Sequence, residues 1–148
     1  MKNIFKFLIL WKAVIFSIGF LVFTFLATKN TNGLYLADSV FGFLDAWDGK
    51  IYQAIAFGGY EQASTIMKQP ALTSTVFFPV FPILIKIFSF FTLGNFVVAA
   101  QLVNTAALFG LVYFLYKLLR IDFAKNKTSR IIIYFLLFPT SFFLSVNY

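Results

Sequence analysis

The chain has 148 residues, of which 61% are hydrophobic and only 11% charged, and its 12 basic and five acidic side chains give a formal charge of +7. A soluble domain is typically about 45–50% apolar and about 25% charged, so the composition excludes an ordinary soluble domain and predicts an all-α integral membrane protein. The chain contains no Cys and no His, which excludes disulfides and thiolate metal sites and removes the commonest general base.

The first apolar run covers residues 7–28 and is long enough to cross a hydrocarbon core of about 30 Å. Lys2 and Lys6 precede it, and Lys12 lies one turn inside, where a long side chain can reach the interface. A secretory signal peptide is the competing interpretation, because basic residues precede an apolar stretch. The run is long for a signal sequence and further apolar segments follow, so we predict an uncleaved first transmembrane helix.

The connecting stretch of residues 29–75 holds four of the five acidic residues and is predicted to be the first outer loop. Helical spacing within it predicts an amphipathic helix that lies along the membrane surface. The apolar face, expected to contact lipid, contains Leu44, Trp47, Ile51, Ala54 and Ile55. The polar face contains Asp45, Asp48, Gly49, Tyr52 and Gln53. The Gly58–Gly59 pair predicts the C-terminal end of this helix.

Residues 76–92 are apolar but contain Pro79 and Pro82, which forbid a regular helix across the start of the segment. About ten residues remain for a helix, and Lys86 interrupts them. A run of this length is typically interfacial or re-entrant. We therefore predict a proline-broken segment that lies at the outer face, or dips into it, and the alternative is a true span.

Residues 96–119 form the clearest predicted transmembrane helix, because the run is long, free of proline and mostly apolar. Gln101, Asn104 and Thr105 lie within one turn of each other and share a face. Polar side chains in such a helix are expected to form hydrogen bonds with a neighbouring helix.

Residues 120–130 are predicted to be a basic loop, and residues 131–148 to begin a third transmembrane helix with Pro139 in its middle. The chain stops inside apolar sequence, as we expect of the N-terminal portion of a larger protein. Short basic loops remain in the cytoplasm, so this loop and the basic N-terminus share that side and an even number of crossings separates them. Segment 76–92 is therefore expected not to cross; as a true span it would place the five basic residues of 117–130 outside. A formal charge of +7 could suggest a nucleic-acid or anionic-lipid partner, but in a membrane protein we expect the positive charges to mark cytoplasmic ends, with no nucleic-acid partner.

Asp45 and Asp48 admit two interpretations. They can cap the predicted helix and face water, because acids in the first turn suit the helix dipole. Alternatively, one of them is a general base at the membrane surface, since a chain without His must rely on its few carboxylates or on Lys and Tyr for proton transfer. The residue pattern alone leaves both interpretations open.

Three short motifs follow one another along residues 45–148. They are Trp47-Asp48-Gly49 with Tyr52, Ile55-Ala56 and Gly59-Tyr60; Phe77-Phe78-Pro79-Val80-Phe81-Pro82; and Phe138-Pro139-Thr140-Ser141-Phe142-Phe143-Leu144-Ser145 with Tyr148. In this order they resemble the motifs of the PIG-V-like mannosyltransferases, the GPI mannosyltransferase 2 family and its bacterial relatives. In that family a Thr/Ser-Glu-Ser sequence follows the tyrosine, whereas this chain ends at Tyr148. The resemblance thus covers only the N-terminal part of such an enzyme.

The resemblance implies a GT-C-like membrane fold, here about three transmembrane helices with interfacial amphipathic helices in the first outer loop. It implies transfer of mannose, or another hexose, from a polyprenyl-phosphate sugar donor to an acceptor glycan or lipid on the outer face of a membrane, expected to be a bacterial plasma membrane. Asp48 would be the catalytic base and Asp45 an alternate or supporting acid. The expected substrate-binding residues are Trp47, Lys50, Tyr52, Tyr60, Phe78, Pro79 and Pro82. Dependence on a divalent cation stays open, because two acids alone do not define a metal site.

Individual roles follow from residue type. Lys50 and Tyr52 could contact phosphate or sugar, although Lys50 could equally be solvated at the interface. Trp47 is expected to anchor the helix at the interface. Phe78, Pro79 and Pro82 would shape the groove for the lipid donor. The rival hypothesis is a small, non-catalytic helical membrane protein or an inactive fragment, which predicts functional polar residues within the spans.

Overall fold

The computed structural model describes residues 2–27, 48–67 and 76–141 of the chain. These residues form five α-helices and no strand, which confirms the all-α prediction for the described part of the chain. The helices are α1 (Lys2–Ala27), α2 (Gly49–Met67), α3 (Val80–Ser89), α4 (Phe96–Asp122) and α5 (Lys125–Leu137).

Two helices, α1 and α4, are long and apolar enough to cross a membrane, by length and composition. They contain 26 and 27 residues, so each rises about 40 Å, which exceeds a hydrocarbon core of about 30 Å. Both correspond to predicted transmembrane helices. The described part of the expected third helix, α5, contains only 13 residues.

The boundaries around the basic stretch differ from the prediction. Helix α4 continues to Asp122 and α5 already begins at Lys125, so only two residues of the expected loop 120–130 are non-helical. Exposed Lys, Arg, Asn and Ser residues cost little in a helix, and the break falls where Ala124 adopts an extended conformation. Helix α5 ends at Leu137 because Phe138, which precedes Pro139, is extended with φ −65° and ψ 133°.

The described helices belong to two compact units. The first unit contains α1, α5 and α4 from Thr105 onwards. Its buried core consists of Ile4, Leu8, Leu108, Val112, Ile132 and Leu136. The rings of Phe5 and Phe109 stack beside this core with their centroids 5.6 Å apart. Apolar burial from three helices therefore holds the first unit together.

The second unit contains α2, α3 and the part of α4 up to Asn104. It contains two buried apolar clusters, whose residues are mostly small, which lets helix backbones approach closely. The clusters consist of Ala54, Ile55, Ala56, Ala63, Ile85, Ala99 and Ala100.

A sharp turn connects α3 to α4. Leu93 and Gly94 both have left-handed backbone conformations, with φ of 53° and 83°. Asn95 then caps α4, since its side-chain oxygen accepts a hydrogen bond from the Val98 N–H at 3.0 Å. The turn exposes three large apolar side chains: Phe90 is 84%, Phe91 78% and Leu93 98% accessible.

Helix α2 is kinked at Gly59, where the sequence predicted that it would end. Gly59 has φ 81° and ψ −171°, a conformation that is essentially confined to glycine, and a second helical segment follows to Met67. The chain continues as a helix because the second segment buries Ala63 in the second unit. The Gly58–Gly59 pair thus redirects the helix without ending it.

Replacement of Gly59 by Ala is expected to destabilise the protein by about 1–3 kcal/mol, because the added side chain forces this backbone conformation into strain. A Cβ built at Gly59 meets no atom within 4 Å, so the effect is one of backbone conformation alone. Thermal unfolding in neutral detergent, followed by circular dichroism, measures it. Gly110→Ala in α4 is the matched control: a Cβ there is equally unobstructed, and we expect a gain of about 0.5–1 kcal/mol.

Candidate functional site

Asp48 stands at the start of α2. Its backbone carbonyl accepts hydrogen bonds from the N–H groups of Ile51 and Tyr52, at 3.0 and 3.1 Å. Its side chain is exposed. Asp48 therefore occupies the capping position, and its carboxylate remains accessible to a ligand, so the geometry is compatible with both interpretations of this residue.

Tyr52 connects the first motif to the second. Its ring makes T-shaped contacts with the rings of Phe77 and Phe81, with centroid distances of 5.2 and 5.1 Å. Such aromatic pairs are each worth about 0.5–1.5 kcal/mol beyond the area that they bury. The structure thus brings the Trp-Asp motif helix and the Phe-Pro motif segment into direct contact.

The environment of Tyr52 determines what its phenol can do. Burial raises the pKa of Tyr52 above its ordinary value, and the neighbouring Asp48 and Tyr60 raise the pKa further. Tyr52 therefore stays a neutral phenol at physiological pH. It can donate a hydrogen bond to a phosphate or sugar oxygen, but it does not serve as a base.

Tyr60 makes the second connection between the two motifs. Its hydroxyl donates a hydrogen bond of 2.8 Å to the backbone carbonyl of Phe77. The side chain is half-buried and packs beside Ala54, Ile55 and Ala63. This predicted substrate-binding residue therefore has a structural contact in the described chain.

Replacement of Tyr60 by Phe is expected to lower the free energy of unfolding by about 1–2 kcal/mol, because the Phe77 carbonyl loses its donor. The unfolding midpoint in detergent measures this loss. Tyr134→Phe removes a hydroxyl from an exposed side chain of α5 and should leave the midpoint unchanged. Equal midpoints for the two variants would contradict a structural role for the Tyr60 hydroxyl.

The apolar face of α2 does not lie where the sequence predicted. Ala54 and Ile55 were expected to face lipid, but they are buried inside the second unit with Ile51 packed beside them. The reason is that the Phe77 side chain packs against the same cluster, which the spacing of α2 alone cannot indicate. The prediction that Ala54 and Ile55 contact lipid is therefore wrong.

The prolines of the second motif have different environments. Pro79 is exposed and stands immediately before α3, where its carbonyl accepts a hydrogen bond from the Ile83 N–H at 3.0 Å. Pro82 lies in the first turn of α3, where its missing N–H would have had no helical partner. Pro82 is fully buried, while Phe78 is exposed. Of these three residues, only Phe78 and Pro79 are accessible to a ligand.

The remaining predicted site residues are placed as follows. Lys50 is exposed in the first turn of α2, near Asp48. Asp45 and Trp47 lie outside the described residues. Within residues 2–27, 48–67 and 76–141, no group of three or more carboxylates could hold a metal ion.

The described start of the third motif belongs to the first unit. There the Ser141 side chain is buried, and its hydroxyl donates to the Phe135 carbonyl. The backbone N–H of Ser141 donates to the Phe138 carbonyl at 2.9 Å, which closes a short turn after α5. Hydrogen bonds within the first unit therefore hold the described part of the third motif.

Lys12 has an environment that the sequence did not predict. It was expected to reach the interface, but its side chain is only 7% exposed. Its ammonium donates a hydrogen bond of 2.6 Å to the Thr105 hydroxyl and lies 5.7 Å from the centre of the Phe16 ring. The sequence did contain a signal for this contact. Lys12 and Thr105 are polar residues in two apolar helices, and they can form a hydrogen bond with each other only if the two helices are neighbours.

In the described residues, the helices include two of membrane-spanning length, and two aromatic motifs pack together beside an exposed carboxylate. Comparisons with protein-family models, with curated proteins and with solved structures each give no match.

Proposed function

We propose that this protein is an integral membrane glycosyltransferase of the GT-C type, resembling the PIG-V-like mannosyltransferases. It transfers mannose, or another hexose, from a polyprenyl-phosphate donor to a glycan or lipid acceptor on the outer face of the membrane, with inversion at the anomeric carbon. The observation that carries the proposal is the packing of Tyr52 against Phe77 and Phe81. It joins two motifs of the resemblance beside Asp48, the residue that the resemblance makes the base.

The proposed topology has cytoplasmic basic ends and an outer Asp48. In its support, the first turn of α1 and the first turns of α5 line one cleft within the first unit, so both basic segments lie at the same end of that unit. This common position supports the proposed even number of crossings between them. Helix α3 has ten residues and rises about 15 Å, half the thickness of a hydrocarbon core, which supports a segment that does not cross.

In the proposed mechanism, the Asp48 carboxylate accepts the proton of the acceptor hydroxyl as the hydroxyl oxygen attacks the anomeric carbon. The bond between that carbon and the phosphate oxygen breaks, and polyprenyl phosphate leaves with the electron pair. The carboxylate must lie about 2.6–3.2 Å from the attacking oxygen. Lys50 and Tyr52 would place a cation and a neutral donor near the leaving phosphate.

The experiment is a transfer assay in membranes that contain the protein as expressed from its own gene. Labelled polyprenyl-phosphate mannose is the first donor, and labelled polyprenyl-phosphate glucose is the second. We expect label in an acceptor with at least one donor, and parallel reactions with a chelator test the need for a divalent cation. Inserted protein that transfers no label from either donor would favour the rival, non-catalytic membrane protein.

A further inference from the structure

A cleft of about 600 Å³ opens in the first unit, between the first turn of α1 and the first turns of α5. We call it the basic cleft. Three cationic side chains, Lys2, Lys125 and Arg130, line it together with the amides of Asn3 and Asn126. All five of these side chains are exposed, while Ile4 beneath them is buried in the core of the first unit. The cleft therefore has a cationic rim over an apolar floor.

No negatively charged side chain lines the basic cleft to balance its positive charges. None of its lining residues is acidic, and the first turns of α1 and α5 contain no acid. The start of α5 also has no side-chain cap at Ala124, so the partial positive charge of its first turn adds to that of the side chains. Like charges held together are stabilised by an anion, and the Arg guanidinium fits phosphate oxygens in pairs.

The apolar surroundings favour a lipid as the source of that anion. Helix α1 is a candidate membrane span, and the cleft lies at its first turn. A helix that spans a bilayer from Lys2 would place its first turn at the level of the lipid headgroups. Beyond the cleft, α1 continues with exposed apolar side chains, including Ile9, Leu10 and Val14. A phosphate in the cleft would thus leave its acyl chains beside an apolar helix surface. The volume is in the range of small-molecule sites, about 300–1,000 Å³.

We propose that the basic cleft binds the phosphate group of an anionic glycerophospholipid, such as phosphatidylglycerol, in the leaflet that faces the N-terminus. The binding depends on α1 lying in a membrane and does not depend on the sugar-transfer activity. The lipid would bridge α1 and α5 at the end where three positive charges repel one another.

The test is equilibrium binding of fluorescent phosphatidylglycerol to the purified chain in a neutral detergent, measured by anisotropy. A basic residue near anionic lipid contributes about a factor of five in affinity, so Lys125→Gln with Arg130→Gln is expected to weaken binding about 25-fold. Lys117→Gln with Lys127→Gln is the matched control. It removes two charges from exposed residues that do not line the cleft and stack on the rings of Tyr113 and Phe123. The control pair should change affinity less than about twofold, against about 25-fold for the cleft pair.

Two further arms separate the possible sources of the anion. Unlabelled phosphatidylglycerol should displace the probe, whereas inorganic phosphate at the same concentration should not; displacement by inorganic phosphate would overturn the lipid assignment. An equal loss of affinity in the control pair would overturn the cleft as a site. Lys2→Gln, at the start of α1, keeps the test valid if the double variant misfolds, and it should weaken binding about fivefold. Unchanged binding in Lys2→Gln would contradict the proposal.

Discussion

Replacement of Asp48 by Asn is expected to lower sugar transfer by about 10²–10⁴-fold while the protein still inserts into the membrane. The carboxylate is the proposed proton acceptor, and an amide of the same shape cannot take up the proton. The start of α2 should survive, because the backbone carbonyl of residue 48 accepts the hydrogen bonds of Ile51 and Tyr52, and Asn caps helices as well as Asp does. The initial rate of label transfer in membranes measures the effect, at equal amounts of inserted protein.

Glu61→Gln is the matched control for Asp48→Asn. Glu61 is also an exposed carboxylate on α2, but it lies beyond the Gly59 kink and belongs to none of the motifs. Its replacement should leave transfer near normal. Asp45→Asn tests the alternate acid and should cost less than Asp48→Asn. Near-normal sugar transfer by the Asp48→Asn protein would contradict the assignment of Asp48 as the base.

Replacement of Thr105 by Val is expected to destabilise the protein by about 2–3 kcal/mol, because the buried ammonium of Lys12 loses the hydroxyl that it contacts at 2.6 Å. Replacement of Lys12 by Met should not lower the free energy of unfolding. Met fills a similar volume without a charge, so the change should be neutral or stabilising by about 1 kcal/mol or more. The two partners of one hydrogen bond thus give unequal results, since only the first change leaves a buried charge without its acceptor.

Unfolding midpoints of these two variants in neutral detergent test this asymmetry. Thr65→Val is the control, because its hydroxyl donates to the Glu61 carbonyl within the exposed surface of α2, and its loss should cost less than about 1 kcal/mol. In the double variant of Lys12→Met and Thr105→Val, most of the loss from Thr105→Val should disappear. Equal destabilisation by Lys12→Met and Thr105→Val would mean that the buried charge of Lys12 is not the cause of the loss of stability in Thr105→Val.

The sequence predicts the helical class and both long helices well, because a long apolar run has few alternatives to a helix. Helix boundaries are predicted less well. The basic residues 125–130 are helical although the sequence suggested a loop, since charge does not break a helix and only backbone chemistry does. Our prediction placed Pro139 inside the third helix, whereas the helix ends at Leu137, because the residue before a proline disfavours the helical conformation. No sequence signal indicated the break at Ala124.

The candidate site is predictable only in part. The sequence identifies the motifs that contain Asp48, Tyr52 and the Phe-Pro segment, but it does not predict that the Tyr52 ring packs against Phe77 and Phe81. It also does not predict that Tyr60 bonds to the Phe77 carbonyl, or that Lys12 is buried. These facts depend on contacts between residues distant in the chain, and periodicity reports only the contacts within one helix.

The conformation of the turn between α3 and α4 depends on the medium that contacts its exposed apolar side chains. Leu93 holds a left-handed conformation that costs about 1 kcal/mol, and its exposed side chain gains no packing against protein. In hydrocarbon, transfer of Phe90, Phe91 and Leu93 is favourable by about 1.5–3 kcal/mol each, which exceeds the strain. In water the same three side chains would draw separate molecules together. We therefore expect acyl chains to act as the packing partner of this turn, so that its conformation depends on the lipid or detergent that solvates it.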